Sequence, residues 1–419
     1  MTGFAFLILL VLGMPIAFVL VSATFIFMFD SGRYQLLNSL PQILFSSLEM
    51  FDLLAIPLFI LLGEAMNEGG ITRRLIVSAQ AWLRRVPNSL AYVCLVSNLM
   101  LASIMGSATA QIAVMSRVMV PAMEKDGYDR PFAAALTASA GMLAPLIPPS
   151  MIFIIYGVVA QVSIAHMFLA GILPGFLFFI CLCIWVAIRS GARNRDGDEA
   201  LATVSRGRAT VDALATLTIP GVIVGGISFG IFTPTESAAI AIACAVVIGG
   251  FVYGELKWRQ APAILARTAT NTALVLFLIA AAKLFGWVLT YNLVPQKIAA
   301  AVQAFTSDPT FFLLLAFLLM VFIGTILDGI AALIILIPIL LPVAVGVYGL
   351  DPIHFGVVAC LTLSLGLLTP PVGAGLFVAS VAGDVNLVQL IRAIVPFVAI
   401  ALFVILVIIF VPWLTSAFL

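Results

Sequence analysis

Long apolar runs, separated by short stretches of polar, glycine or proline residues, extend along the whole sequence. Several runs reach about 20 residues, the length of a helix that crosses the hydrocarbon core of a bilayer. The apolar positions are continuous rather than alternating, which excludes a transmembrane β-barrel. The pattern predicts an all-α, polytopic membrane protein with nine crossings, at residues 3–29, 51–67, 131–160, 167–189, 211–230, 234–254, 271–291, 353–382 and 389–411.

Two further apolar segments, residues 89–124 and 310–346, have a small, polar tip near their centre. Each limb has about 16 residues, which is short for a crossing. The tips are Gly106-Ser-Ala-Thr-Ala110 and Gly324-Thr-Ile-Leu-Asp-Gly329. Non-helical backbone is tolerated at membrane depth only where it is buried in protein or lines a wet cavity. Both segments are therefore predicted to be re-entrant helical hairpins whose tips face a ligand.

Two of the predicted crossings contain a proline-rich break: LAPLIPPS at residues 143–150 and LLTPPVG at residues 367–373. Proline lacks a backbone donor and ends or kinks a helix, so each of these crossings is predicted to be two half-helices. The remaining connections are predicted to be a polar loop with a short apolar patch between the first two crossings, amphipathic pieces at 71–86 and 294–305, and a basic interfacial stretch at 257–267.

The two halves of the chain share landmarks at nearly constant separation. Gly127 and Gly349, Pro148-Pro149 and Pro370-Pro371, and Pro174 and Pro396 are each 222 residues apart; Gly106 and Gly324 are 218 apart, and Pro15 and Pro234 are 219 apart. Each repeat reads as two spans, a hairpin, a broken span and a further span. Because one unmatched helix lies between the repeats, the second repeat enters the membrane from the opposite side, which is the architecture of secondary transporters.

This repeat predicts a division of the chain into scaffold and transport parts. The scaffold consists of residues 1–88 and 211–308, and the transport domain of residues 89–190 and 309–419, with a cytoplasmic linker at 191–210.

The basic residues predict the orientation, since cytoplasmic loops are enriched in lysine and arginine. With the amino terminus in the cytoplasm and the carboxyl terminus in the periplasm, only Arg33 and Lys297 fall clearly outside. Fourteen basic residues then lie inside: Arg73, Arg74, Arg84, Arg85, Lys125, Arg130, Arg189, Arg193, Arg195, Arg206, Arg208, Lys257, Arg259 and Arg267. The amino-terminal segment lacks a basic region before its apolar run, which predicts a retained first helix rather than a cleaved signal.

Composition narrows the function classes. The chain has 419 residues, of which 63% are hydrophobic and 9% charged, and its five cysteines all lie in apolar runs, as packing thiols do. No paired carboxylates, HExxH sequence or serine–lysine pair indicates an intramembrane enzyme, and no GxxxxGK[ST] sequence indicates an ATP-driven pump. A channel would not need two occluding hairpins.

Five motifs in order, GSATA (106–110), LAPLIPPS (143–150), PTESAA (234–239), LDGIAALIILIPILLP (327–342) and LLTPPVGAGLF (367–377), resemble the large membrane subunit of tripartite ATP-independent periplasmic (TRAP) transporters. The resemblance covers essentially the whole chain. It implies sodium-coupled import of a carboxylate by an elevator motion, with no cofactor other than Na⁺ as coupling ion. It also implies two partners, a small four-helix membrane subunit and a periplasmic substrate-binding protein. A stand-alone sodium- or proton-coupled carboxylate symporter of the elevator class is the alternative.

Broken helices leave unpaired carbonyls, which suit a hard cation, and unpaired amides, which suit an anion. The predicted first sodium site comprises Ser103, Gly106, Ser107, Ala144 and Ile147; the second comprises Gly324, Thr325, Asp328, Gly366 and Thr369. Ser103 corresponds to Val321, so the second site depends more on backbone oxygens. The substrate carboxylate is predicted to bind between the tips, at Ala108, Thr109, Pro149, Ser150, Pro371, Val372 and Gly373.

Other polar residues within apolar runs have competing interpretations. Arg117 either reaches the substrate or extends to the cytoplasmic face. Asp328 either assists the cation or caps the following limb. Glu236 is predicted to complete a capping box with Thr233, and Glu64 and Lys283 to form scaffold ion pairs or contact the small subunit. Neither His166 nor His354 is predicted to be a ligand.

Overall fold

The computed structural model describes residues 2–32, 34–83, 86–189 and 206–419, and within them every regular element is a helix. The first repeat contains α1 (Thr2–Val11), α2 (Ile16–Asp30), α3 (Leu40–Leu48), α4 (Ala55–Glu68), α5 (Ile71–Leu83), α6 (Ser89–Met105), α7 (Ala108–Lys125), α8 (Arg130–Gly141), α9 (Met151–Ala160) and α10 (Ile164–Arg189). This confirms the all-α class. The linker 191–210 lies mostly outside the described residues.

The second part of the chain begins with the unmatched helix and repeats this order. It contains α11 (Arg206–Ser228), α12 (Pro234–Val246), α13 (Ala261–Tyr291), α14 (Val294–Gln303), α15 (Pro309–Gly324), α16 (Gly329–Gly346), α17 (Pro352–Gly366), α18 (Ala374–Gly383), α19 (Leu387–Phe410) and α20 (Trp413–Ser416). Thr233 and Glu236 form the predicted capping box at the start of α12.

Within the described residues, six helices are long and apolar enough to cross a membrane alone, and a bent pair, Leu37–Leu48 with Phe51–Glu68, brings the number to seven. Of the nine predicted crossings, five are single continuous helices. Three others are divided: α1 and α2 are separated around Gly13, and the two proline-rich breaks separate α8 from α9 and α17 from α18. The remaining crossing, 51–67, is the second member of the bent pair. The sixth long helix is the second limb of the second hairpin, Gly329–Gly346.

Two connections differ from their prediction. The predicted polar loop before α4 contains helix α3, which has proline in its first turn and is bent by 58° against the helix that follows. The predicted basic stretch at 257–267, from Ala261 onward, and the crossing at 271–291 form one helix, α13, of 31 residues. No glycine or proline lies between the two segments to end the helix. Pro262 lies in its first turn, where a proline is tolerated.

The hairpins and broken helices of both repeats pack on one another. In the first repeat α6 and α7 pack on α8; in the second α15 packs on α17, and α16 crosses to α9 of the first repeat. Helix α18 packs on α7. A second group contains α13 with α2, α3 and α4, α12 with α4, and α11 with α5 and α12.

Arg130 joins the two repeats at one end of the first group. Its guanidinium donates to the Gly383 carbonyl through Nη2 (3.0 Å) and Nε (3.2 Å), and pairs with Asp384 (3.3 Å) and Glu124 (3.1 Å). These contacts link the end of α7, the start of α8 and the end of α18.

A buried amide pair joins the limbs of the first hairpin. Gln111 of α7 donates through Nε2 to the carbonyl oxygen (2.8 Å) and to Oδ1 (2.9 Å) of Asn98 on α6, and both side chains are fully buried. Asn98 in turn donates to the Cys94 carbonyl at 2.8 Å. In the second hairpin, the residue 218 positions after Asn98 is Ala316.

Candidate functional site

The tip of the first hairpin is a two-residue turn. Gly106 ends α6 with a positive φ of 58°, a conformation that glycine adopts at little cost. Ser107 then caps α7, since its Oγ accepts from the Ala110 amide at 3.5 Å and lies 3.3 Å from the Thr109 hydroxyl. Serine is a preferred N-cap residue, so the sequence Gly-Ser ends one helix and begins the next at once.

This tip lies directly against the break of its own repeat. The Met151 amide donates to the Gly106 carbonyl at 3.2 Å, and a Cβ added at Gly106 would lie 2.8 Å from the Pro149 carbonyl oxygen. Ser150 caps α9 and donates to the Pro145 carbonyl at 2.6 Å. Every residue of this break, 142–150, is buried.

The second tip has the corresponding arrangement. The Val372 amide donates to the Thr325 carbonyl at 3.3 Å, and a Cβ added at Gly366 would overlap the Gly324 backbone. Asp328 caps α16 through Oδ2, which accepts from the Ile330 amide at 3.1 Å. The capping interpretation of Asp328 is therefore correct, although its second oxygen stays available.

A cavity of about 570 Å³ lies between the two tips. One side is formed by residues 105–110 of the first tip, residues 328–330 of the second, and Pro145, Met151, Ser364 and Leu367. Helices α7 and α16, each of 18 residues, both begin at this cavity. The N-terminus of a helix favours negative charge. The Asp328 carboxylate already caps α16, so the α7 end, with the hydroxyls of Ser107 and Thr109, is the one that suits an anionic group.

The opposite side of the cavity belongs to the second group of helices. Helix α4 contributes Phe59, Ile60, Gly63, Glu64 and Asn67, and α13 contributes Asn271, Leu274 and Val275. Glu64 pairs with Arg267 of α13 at 2.8 Å. The predicted scaffold ion pair of Glu64 is thus present, with Arg267 as partner, whereas the Lys283 ammonium donates to the Val159 carbonyl at 3.5 Å.

The structure sorts the predicted site residues into three sets. Those that line the cavity are Gly106, Ser107, Ala108, Thr109 and Asp328. Those that belong to the tips and breaks but do not line it are Ser103, Ala144, Ile147, Pro149, Ser150, Gly324, Thr325, Gly366 and Thr369. Those in the partly exposed second break, also not lining it, are Pro371, Val372 and Gly373. Arg117 is exposed and does not line the cavity either.

Sequence reasoning missed Asn67, Asn271 and Ser364. Asn67 lies three residues after Glu64 and Asn271 lies four after Arg267, so each pair shares a helix face. This spacing was the available signal, but it becomes meaningful only once α4 and α13 are known to face each other.

The oxygens near the breaks suit a hard cation. The carbonyls of Ala144 and Ile147 accept no hydrogen bond from any described residue, and the hydroxyls of Ser103, Thr325 and Thr369 donate to main-chain carbonyls, which leaves their lone pairs free to accept. In the described ranges no three His, Cys, Asp or Glu side chains cluster as metal ligands. The donor set is thus carbonyl and hydroxyl oxygen, which matches an alkali or alkaline-earth ion rather than a transition metal.

Residues 4–414 match the model of the "Tripartite ATP-independent periplasmic transporter, DctM component" family. The chain belongs to this DctM family. It is 36% identical over 406 residues to the sialic acid TRAP transporter large permease protein SiaM of Vibrio cholerae, with 96% of this chain and 94% of that protein covered. It is 33% identical over 380 residues to the C4-dicarboxylate TRAP transporter large permease protein DctM of Pseudomonas aeruginosa, with 91% and 89% covered.

A third DctM relative is longer than this chain. The isethionate TRAP transporter permease protein DctMQ of Oleidesulfovibrio alaskensis is 37% identical over 410 residues, which cover 97% of this chain and 64% of that protein. This chain therefore spans somewhat less than two thirds of the DctMQ length.

Solved transporter structures share the fold. The Alcanivorax borkumensis YdaH transporter superposes with a TM-score of 0.66 at 18% identity, covering 91% of this chain and 88% of that one. The Neisseria gonorrhoeae efflux pump MtrF superposes with a TM-score of 0.61 at 12% identity, covering 92% and 85%. At these identities the likeness concerns architecture alone. The chain is thus a polytopic helical membrane protein of a transporter fold.

Proposed function

We propose that the chain is the large permease subunit of a tripartite transporter that imports a small organic anion together with sodium. The observation that carries this proposal is that the N-terminus of α7, with the hydroxyls of Ser107 and Thr109, opens on the cavity, while the Ala144 and Ile147 carbonyls in the break behind this tip accept no hydrogen bond from a described residue. The amide ends suit a carboxylate or sulfonate, and the carbonyl ends suit Na⁺. Relatives named for sialic acid, C4-dicarboxylates and isethionate indicate the class of solute.

We further propose that the substrate arrives from a periplasmic binding protein and that a small membrane subunit extends the scaffold. The family description names a tripartite assembly, which supports both partners. The chain would lie in the bacterial inner membrane with its amino terminus in the cytoplasm. Arg33, Arg84, Arg85, Arg193 and Arg195 lie outside the described residues, so this orientation depends on the distribution of charge along the sequence.

An elevator motion would move the hairpins and broken helices, as one group, against the second group of helices, which contains α4 and α13. The cavity lies between these two groups, so sliding one past the other would carry the tips toward the other side of the membrane. Gly63 of α4 is one point at which the two groups approach closely, since a Cβ there would lie 3.8 Å from the Ile104 carbonyl of the first hairpin.

Removing sodium is expected to stop uptake, because the bound cation would be shared by oxygens of a tip and of its break and would hold the two together. Cells or proteoliposomes with all three components would be tested with labelled sialate, succinate and isethionate, replacing external Na⁺ by choline or K⁺. We expect uptake of the accepted anion to fall at least about tenfold, since tip and break would both lose their shared ion. Full activity on a proton gradient alone would reassign the coupling ion.

The same preparation separates the proposal from the stand-alone symporter. If uptake requires the binding protein and the small subunit, the proposal of a tripartite transporter is supported. Sodium-driven uptake by this chain alone in liposomes would support a symporter that needs no partner.

A further inference from the structure

A charged network joins α4 and α13 beside the cavity. Arg267 donates through Nε to Glu64 Oε2 (2.8 Å) and through Nη2 to Glu68 Oε1 (2.6 Å). The second oxygen of Glu68 accepts from Gln260 Nε2 at 3.0 Å. One guanidinium is therefore held by two carboxylates from the facing helix.

The network and the scaffold wall of the cavity occupy the same face of these two helices. Glu64 belongs to both, because it lines the cavity while it pairs with Arg267. Asn67 and Asn271, which also line the cavity, are solvent-exposed. Arg267 does not itself line the cavity, but it contacts the lining residue Glu64 directly.

The net charge of this network determines whether the scaffold wall attracts or repels an anion in the cavity. A free arginine binds a carboxylate or sulfonate through two parallel hydrogen bonds, and Arg267 has a side chain 45% exposed to solvent. Glu64 and Glu68 occupy its Nε and Nη2 and give the trio a formal charge of −1. The network thus places net negative charge beside the cavity, where an isolated arginine would place positive charge.

We propose that Glu64 and Glu68 are positioning residues for release: they occupy Arg267, so that an anionic substrate leaves the cavity past Asn67 and Asn271 instead of binding to the scaffold. This inference rests on the proposed function as an anion importer, and it adds a role for scaffold residues opposite the hairpin tips. The substrate atoms that matter are the carboxylate or sulfonate oxygens.

The test compares E64Q/E68Q with the triple variant E64Q/E68Q/R267Q in the complex with the small subunit. The probe is whichever of sialate, succinate and isethionate the wild type transports. In E64Q/E68Q only neutral amide oxygens can hold Arg267, and an anion can displace them. Equilibrium binding of that anion is therefore expected to tighten about tenfold, and maximal uptake to fall by a similar factor, since one charge-assisted bidentate contact is gained. Removing Arg267 as well is expected to restore both values toward wild type.

The matched control is Glu255→Gln. Glu255 pairs with Arg74 at 2.7 Å, and this pair, unlike the Glu64–Arg267 pair, contains no residue that lines the cavity, so binding and uptake should be unchanged. A merely structural role for the network predicts that the triple variant is as impaired as the double one, and that result would overturn the proposal. Unchanged binding in E64Q/E68Q would also overturn it. If the wild type transports none of the three anions, the failure lies in the proposed function instead.

Discussion

Replacing Gly106 by leucine is expected to reduce uptake to below one tenth of the wild-type rate. A non-glycine residue at a φ of 58° costs about 1–3 kcal/mol, and its Cβ would lie 2.8 Å from the Pro149 carbonyl. The tip would have to move away from the break, which breaks the hydrogen bond from the Met151 amide and separates the oxygens of the first predicted sodium site. Transport assays on the purified complex, with size-exclusion profiles to establish folding, measure the effect.

Gly230→Ala is the matched control for this prediction. Gly230 has a similar φ of 64°, but no atom lies within 4 Å of an added Cβ. It therefore carries the backbone strain without the collision, and its uptake should stay near normal. Normal uptake in Gly106→Leu would contradict the role assigned to the tip.

Gly366→Ala is expected to abolish sodium-dependent uptake and to lower the melting temperature. Alanine should by itself stabilise the end of α17 by about 0.5–1 kcal/mol relative to glycine. The added methyl group, however, overlaps the Gly324 backbone, and overpacking of this kind costs about 1–3 kcal/mol. Thermal unfolding with and without Na⁺ measures both the loss of stability and the loss of ion-dependent stabilisation.

Gly225→Ala provides the comparison, because Gly225 lies within helix α11 and an added Cβ meets no atom within 4 Å. It should leave uptake unchanged and the melting temperature equal or higher. If Gly366→Ala behaves in the same way, the second tip does not need close contact with the second break.

The hairpins and breaks could be predicted because single residues determine them locally. Glycine followed by serine ends one helix and caps the next, and the proline pairs leave no helical alternative, so these boundaries lie close to where the sequence places them. The wall formed by Asn67 and Asn271 could not be predicted in this way. It depends on two helices about 200 residues apart in the chain facing each other, which no local pattern specifies.

The two breaks differ in their surroundings, a difference that the sequence repeat did not indicate. The first break is buried against α10, where Gly171 approaches the Leu146 carbonyl and Gly175 approaches the Ile147 side chain. The residues 222 positions later are Ala393 and Phe397, which are too large for the same approach. The second break is accordingly more open, with Val372 44% exposed. Residues at equivalent positions of the two repeats therefore have different surroundings. Residues 371–373, which were predicted to contact the substrate, do not line the cavity.

The buried Asn98–Gln111 pair has a consequence for how the protein is made. Each of these amides alone would be costly to place in hydrocarbon, and both hydrogen bonds that Gln111 donates go to Asn98 on the other limb of the hairpin. We therefore expect α6 and α7 to enter the membrane as a pair, because Gln111 has these acceptors only when the two limbs lie side by side. Ala316 occupies the position that corresponds to Asn98 in the second hairpin, so the limbs of that hairpin need no such pairing there.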